Sequence, residues 1–192
     1  MLSEPIAVTL LVTGALEGLG VPYAIGGSLA SAVYGVARAT QDADIVADLR
    51  LDHVERFARL LGEAFYVDTE MIREAVQQRS SFNVIHWDTQ FKVDIFIPKR
   101  RAFDQAQLAR RTAEIVATEP ERTAYLASPE DNLLSKLEWY QMTERGSERQ
   151  WRDVLGIIKT QGDRLDLDYL RRMASTLEVS DLFEQALVAV QE

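Results

Sequence analysis

The chain has 192 residues, of which 47% are hydrophobic, and this content is enough to bury a core and excludes a disordered chain. Its net charge of -9 excludes a protein that coats nucleic acid non-specifically, since that task requires a broad basic surface. The absence of cysteine excludes a disulfide framework and a thiolate zinc site, and it is compatible with a reducing cytosol.

Residues 1–20 contain an apolar run that predicts an amphipathic helix. The run has an acidic flank, carries Glu17 and lacks the basic segment of a signal peptide. Nothing elsewhere approaches the roughly 20 continuous apolar residues that a membrane span requires. We therefore expect a soluble, cytoplasmic protein that makes no membrane contact.

The next part of the chain alternates short apolar runs with helical patterns. Runs rich in β-branched and aromatic residues predict strands, whereas apolar residues three or four positions apart predict helices. The predicted order is a strand over 21–25, a helix over 28–37, a strand over 41–49 and two helices over 51–65 and 69–79.

Residues 81–98 show the clearest alternation in the sequence. Two runs flank the turn-forming pair Asp88-Thr89, which predicts a β-hairpin. Successive side chains of a strand point to opposite faces, so Asp94 faces away from the more apolar side of its strand. Two further short strands are predicted over 113–117 and 123–127.

The chain becomes helical from Ser128, which is suited to cap a helix that has Pro129 in its first turn. We predict an α+β fold, in which residues 1–127 form a small mixed β-sheet with packed helices and residues 128–192 form a C-terminal helical bundle. The predicted helices of this bundle cover 132–142, 149–160, 165–177 and 180–190.

Two aspartates, Asp42 and Asp44, are separated by one residue, so they project from the same face of a strand with Cα atoms about 6.5 Å apart. Carboxylates this close repel each other unless a cation lies between them. Ligand sets made only of oxygen favour magnesium. Together with Asp94 from another strand, they are able to hold two ions about 3.5–4 Å apart, the spacing used for displacement at phosphorus.

The turn Gly26-Gly27-Ser28 precedes the predicted helix of small residues. Glycines allow the backbone to approach a phosphate closely, and a helix that begins at Ser28 presents N–H groups and the positive end of its dipole. The turn is therefore predicted to bind phosphate.

This order of motifs resembles the polymerase-beta-type nucleotidyltransferase superfamily over residues 24 to 97. The motifs are Gly-Gly-Ser at 26–28, Thr-Gln-Asp-Ala-Asp at 40–44 and Lys-Val-Asp-Ile at 92–95. Within the superfamily the chain is most similar to the minimal and abortive-infection (AbiEii-type) members, which also continue into a helical region with a lysine and an Arg-Asp pair. Here these residues are Lys136 and Arg152-Asp153.

The resemblance implies a magnesium-dependent transfer of a nucleoside monophosphate from a nucleoside triphosphate, such as ATP, to a hydroxyl acceptor with release of pyrophosphate. It implies that Ser28 contacts the triphosphate and that Asp42 and Asp44 bind two Mg²⁺ ions. It further implies that Asp94 completes the metal site and takes the proton of the acceptor hydroxyl. Lys136 would neutralise phosphate charge.

The acceptor stays open between an RNA such as tRNA, a protein and a small molecule. The abortive-infection resemblance implies a toxin–antitoxin role with an antitoxin partner. One alternative is a catalytically inactive nucleotide-binding or protein-interaction module of the same fold. Another is an aminoglycoside-type antibiotic nucleotidyltransferase, which the net acidity favours.

Several residues have a structural interpretation beside the functional one. Lys136 is equally consistent with a surface lysine paired with a carboxylate such as Asp131, and Arg152 and Asp153 with an ion pair that anchors a helix. The basic pairs 100–101 and 110–111 either guide a polyanionic acceptor or lie in a solvated loop. The aromatic residues 87, 139, 140 and 151 are interpreted as packing residues, with base stacking as the alternative for one near the cleft.

Overall fold

A computed structural model describes residues 3–34, 40–144 and 146–191 of the chain, and it confirms the predicted α+β class. The described strands are β1 Tyr23–Ile25, β2 Asp42–Ala47, β3 Phe65–Tyr66, β4 Ser81–His86, β5 Lys92–Phe96, β6 Thr112–Thr118 and β7 Glu121–Leu126. The described helices are α1 Glu4–Gly18, α2 Gly27–Val33, α3 Val54–Leu61, α4 Thr69–Gln78, α5 Ala102–Ala109, α6 Pro129–Met142, α7 Glu148–Gln161, α8 Leu167–Thr176 and α9 Ser180–Gln191.

The strands form one mixed sheet in the order β3-β4-β5-β2-β1-β7-β6. The central pair β2 and β5 is parallel, and so is the pair β1 and β7, whereas the other neighbours are antiparallel. The predicted hairpin is confirmed as β4 and β5, which place Val84 opposite Val93.

One face of the sheet packs on α1, α3 and α4. Ile45, Val93 and Ile95 are fully buried there, together with Phe57 of α3. Burial of each such side chain contributes roughly 1.5–3 kcal/mol. Because side chains alternate along a strand, burial of these residues directs the alternate positions of β2 and β5 to the opposite face. A register slip of one residue would bury the aspartates instead.

The helices α5 to α9 enclose a second apolar core. Leu133 and Leu137 of α6 pack in it with Ile157 of α7 and Phe183 of α9. The hydroxyl oxygen of Ser128 accepts a hydrogen bond from the Asp131 N–H at 3.1 Å, as the predicted cap of α6 requires. The division of the chain at residue 127 stays a prediction. Within the described residues, no helix combines the length and apolarity needed to cross a bilayer.

Three local predictions differ from the structure. The helix α5 was not predicted, and it is held by burial of Phe103 in the second core, a tertiary contact that local sequence does not show. The helix predicted over 51–65 is shorter, because Gly62, with φ of 60°, ends α3 and the chain then enters β3. The helix predicted over 28–37 begins at Gly27 and ends at Val33, and positions 35–37 lie outside the described residues.

Candidate active site

The parallel pairing of β2 and β5 brings the predicted site aspartates together. In this register Asp44 lies directly opposite Asp94, and Asp42 lies opposite Lys92. Neighbouring strands are about 4.8 Å apart, so the Cα atoms of Asp44 and Asp94 are separated by roughly that distance. Asp94 is flanked on its other side by Asn83 of β4. Three carboxylates from two strands therefore share one face of the sheet.

The glycine turn lies against these carboxylates. A Cβ atom added to Gly27 would lie 1.8 Å from Oδ2 of Asp44, and the φ of Gly27 is +57°. Both observations require glycine at this position. The Gly26 N–H donates a hydrogen bond to the Asp44 carbonyl oxygen at 2.8 Å. Ser28 lies in the first turn of α2 and is buried, with 7% of its surface exposed.

Among the described residues, negative charges around Asp44 outweigh positive ones. Burial, together with the charges of Asp42 and Asp94, raises the pKa of Asp44 from 3.8 to about 6. Lys136 and Lys92 lower the pKa of Asp44, but less strongly. Carboxylate oxygens are the ligands that magnesium prefers, so the chemistry of these three residues fits a divalent cation.

Asp94 is already engaged with a cation of the protein itself. The ammonium group of Lys92 contacts Oδ2 of Asp94 at 2.7 Å, and 42% of the Lys92 side chain is exposed. Among the described residues, no three carboxylate or imidazole side chains stand in an arrangement that would hold a metal ion. The ammonium group of Lys92 faces an oxygen of Asp94 that a shared ion would require. By residue type the three carboxylates fit magnesium, although one oxygen of Asp94 faces Lys92 in this structure.

Lys136 is buried beside the site rather than exposed on the helix surface. It is 3% exposed, and its ammonium group donates to Oδ2 of Asp153 at 2.7 Å and to Oε1 of Gln150 at 3.2 Å. The pair joins α6 to α7. The interpretation of Lys136 as a surface lysine paired with Asp131 is therefore wrong, since the residue is buried and its described ion pair is with Asp153. Arg152, the other member of the predicted Arg-Asp pair, is exposed.

Asn132 is a site residue that sequence reasoning missed. Its amide group donates to the Gly27 carbonyl at 3.3 Å and to Oγ of Ser31 at 3.1 Å, and the residue is fully buried. In the part of the chain that the structure describes, its Oδ1 atom has no hydrogen-bond partner. Asn132 precedes Lys136 by four residues, so the two side chains lie on the same face of the helix. This spacing is the sequence signal that places Asn132 near the site.

Two aromatic pairs flank the carboxylates. Phe96, on the same face as Asp94, meets Trp139 of α6 with ring centroids 5.9 Å apart. Beyond β4, Tyr66 meets Trp87 at 5.8 Å, and both rings are exposed. Tyr66 is opposite Ile85, which is opposite Lys92, so this exposed pair begins on the face of the sheet that carries Lys92. By contrast, Tyr140 and Trp151 pack on each other between α6 and α7.

Two of the four arginines in the basic pairs near α5 form ion pairs within the fold, whereas Arg100 is exposed. Arg101 pairs with Asp104 and Glu138. Arg110 pairs with Glu130 at 3.1 Å, and its guanidinium lies 3.9 Å from the centre of the Tyr169 ring. These contacts anchor α5 to the helical core. They leave these two arginines poorly placed to guide a polyanion.

Comparison with known proteins identifies the fold. No protein-family model matches the chain, and neither does any curated protein. The structure is similar to that of the antibiotic-resistance factor ANT(2'')-Ia, with a TM-score of 0.57 and 10% identity over 96% of this chain and 94% of that chain. It is also similar to the lincomycin-bound lincosamide antibiotic adenylyltransferase LnuA, with a TM-score of 0.50 and 16% identity over 81% of this chain and 96% of that chain. The chain has the nucleotidyltransferase fold.

Proposed function

We propose that the chain is a nucleotidyltransferase, which moves a nucleoside monophosphate from a nucleoside triphosphate to a hydroxyl acceptor and releases pyrophosphate. One observation carries the proposal. Asp44 and Asp94 lie opposite each other on parallel strands, with Asp42 on the same face and Gly27 pressed against Asp44. This arrangement combines a cation-binding set of carboxylates with a turn that has no side chain to obstruct a phosphate.

Each residue has a role in this proposal. The backbone at Gly26 and Gly27, together with Ser28, receives the phosphates, and Lys136 contributes positive charge from the adjacent helix. The aspartates Asp42, Asp44 and Asp94 hold two Mg²⁺ ions. Bound magnesium would neutralise charge on the phosphoryl oxygens during transfer.

The chemical step requires one proton acceptor. The acceptor hydroxyl oxygen attacks the α-phosphorus, and the bond from this phosphorus to the oxygen that bridges to the β-phosphate breaks. Pyrophosphate leaves with that oxygen, and the hydroxyl proton passes to Asp94. Asp94 suits this role because it lies on β5, one strand farther than Asp42 and Asp44 from the glycine turn that follows β1, and next to Asn83 of β4.

The use of Arg101 and Arg110 in ion pairs within the fold favours a protein or a small molecule as the acceptor over RNA.

The closer relationship to minimal and abortive-infection nucleotidyltransferases is part of the proposal, and it rests on Lys136 and Asp153. The ion pair between Lys136 and Asp153, which joins α6 to α7, supports it because it brings these two residues together. An antitoxin partner remains an expectation of that relationship.

A second candidate is a nucleotide-binding module without turnover. The contact between Lys92 and Asp94 favours it, because Asp94 is then not available as a metal ligand or a base. The two candidates differ in pyrophosphate release. Binding of a triphosphate without this product would identify the module.

The test is a transfer assay with Mg²⁺ and each of four α-labelled nucleoside triphosphates, offered separately with total RNA, a protein mixture and a set of small-molecule alcohols and aminoglycosides. We expect label in one acceptor fraction, with equimolar pyrophosphate. Asp44→Asn should abolish the transfer, whereas Asp52→Asn makes the same chemical change at an exposed position outside the site. The absence of label in all fractions, with no difference between wild type and Asp44→Asn, would reject the proposal.

A further inference from the structure

Lys92 is a cation that lies beside the group of three carboxylates. It is opposite Asp42 in the register of β2 and β5, and it contacts Asp94, two residues further along the same strand. Its side chain therefore projects from the face that carries the proposed metal ligands. The 2.7 Å contact joins its ammonium group to an oxygen of one of those ligands.

We propose that Lys92 is an internal counter-ion of the metal site, which holds Asp94 in the metal-free protein and competes with the divalent cation for the carboxylates. This inference rests on the proposed function, because it requires Asp42, Asp44 and Asp94 to be the metal ligands. It adds a residue that controls how tightly the site binds metal.

The competition follows from charge and distance. Without a cation, the three carboxylates repel one another, and the ammonium group of Lys92 relieves part of this repulsion. A divalent ion at the same oxygens would be repelled by that ammonium group at a few ångströms. Lys92 must therefore release Asp94 before the metal binds with full affinity. Its flexible stem and partial exposure allow this movement.

Removing Lys92 should change the affinity for metal in the opposite direction to removing a residue that binds the metal. Removing a residue that binds the metal or the nucleotide weakens binding. Removing Lys92 should tighten the binding of metal alone, because the competing charge is lost, while the metal-free protein loses a stabilising contact. Removal of a residue that only stabilises the strand would lower the stability of the protein without tightening metal binding.

The first experiment is calorimetric titration of the whole protein with MnCl₂ alone, without nucleotide. We expect Lys92→Met to bind Mn²⁺ about tenfold more tightly than wild type, from the removal of one like charge near the ion. Lys92→Arg, which keeps the charge, should stay within about twofold of wild type. Lys99→Met makes the same charge change at an exposed position after β5 and should also match wild type. Equal or weaker binding by Lys92→Met would overturn the inference.

The same variants allow a second measurement of stability. With chelator present, Lys92→Met should melt at a lower temperature than wild type, and saturating MnCl₂ should raise its melting temperature by more than that of wild type. An equal rise in both proteins would contradict the competition.

A third measurement needs no variant, so it remains decisive if Lys92→Met fails to fold. Wild-type protein is labelled with an amine-acylating reagent, and modification of single lysines is followed by mass spectrometry. Saturating MnCl₂ should increase the labelling rate of Lys92 several-fold and leave that of Lys99 unchanged. An unchanged rate at Lys92 would overturn the inference.

The outcomes separate this inference from the proposed function. If wild type binds Mn²⁺ and Lys92→Met binds it equally well, the role of Lys92 is wrong and the metal site stands. If neither protein binds Mn²⁺, the proposed metal site itself is wrong, and the inference is rejected with it.

Discussion

The carboxylate of Asp44 lies so close to Gly27 that no side chain fits at position 27: Oδ2 of Asp44 is 1.8 Å from the position that a Cβ atom on Gly27 would take. The turn that is proposed to receive phosphate and the carboxylate that is proposed to hold metal thus form one packed unit. Its geometry depends on a position where only glycine fits.

Gly27→Ala should therefore lower both stability and activity. The added methyl group must displace the Asp44 carboxylate, and alanine is strained at a φ of +57°, so we expect a loss of more than about 2 kcal/mol in the free energy of unfolding and a loss of transfer. Urea unfolding measures the first effect. Gly20→Ala is the matched control, because Gly20 has a φ of +67° with nothing within 4 Å of its Cβ position. A cost for Gly27→Ala no larger than that for Gly20→Ala would show that the contact with Asp44 is unimportant.

The raised pKa of Asp44 predicts a pH-dependent stability in the metal-free protein. In the folded state Asp44 keeps its proton up to about pH 6, whereas the ordinary pKa of an aspartate is 3.8. The protonated carboxyl group therefore contributes fully to the stability of the folded state below about pH 4, and this contribution is lost as the pH rises through 6. Asparagine does not ionise. Asp44→Asn should therefore be more stable than wild type at pH 8 in chelator, by about 1–3 kcal/mol, and nearly equal to it at pH 4.

Urea unfolding at the two pH values measures this difference. Saturating Mg²⁺ should stabilise wild type and leave Asp44→Asn unchanged. If Asp44→Asn is the less stable protein at pH 8 in chelator, the carboxylate of Asp44 is not under electrostatic strain, and this argument for a cation-binding site fails.

The structural and functional roles of Lys136 can be separated by a double substitution. Lys136→Met alone leaves the buried carboxylate of Asp153 without this cation, and it should cost about 3–5 kcal/mol. Lys136→Met with Asp153→Leu removes both charges and should restore most of the stability. Affinity for a nucleoside triphosphate, measured by calorimetry, should be lower than that of wild type in both the single and the double variant. Recovery of both properties would restrict Lys136 to an anchoring role.

Asn132 should connect the C-terminal helices to the glycine turn. Asn132→Ala removes the amide that donates to the Gly27 carbonyl, so we expect a loss of about 1–2 kcal/mol in stability and weaker binding of the triphosphate. Gln141→Ala provides a comparison at an exposed position of the same helix. Equal triphosphate affinity in wild type and Asn132→Ala would indicate that α6 does not position the turn.

The alternation of residues in β2 and β5 was sufficient to predict which face carries the aspartates. Asp42 and Asp44 are two residues apart, and Asp94 alternates with buried Val93 and Ile95, so their common orientation follows from local sequence. That Asp44 and Asp94 lie directly opposite each other does not follow. This register is set by parallel pairing between segments that are fifty positions apart in the chain.

The tertiary partners of charged residues were not predictable from the sequence. A lysine on a helix has the same local pattern whether it faces solvent or, as Lys136 does, a carboxylate on the next helix. Alternation along β5 places Lys92 on the same face as Asp94, but the contact between them depends on the side-chain conformation. Asn132 gave a weak signal for the same reason, since its partners Gly27 and Ser31 lie on α2.

The most direct test of the central claim is a crystal structure of the protein with Mg²⁺ and a nonhydrolysable nucleoside triphosphate. The account predicts magnesium at the usual distance of about 2.1 Å from oxygens of Asp42, Asp44 and Asp94, with the triphosphate against the turn at Gly27 and Lys92 released from Asp94. A triphosphate bound elsewhere, or Asp94 still paired with Lys92 and without metal, would contradict it.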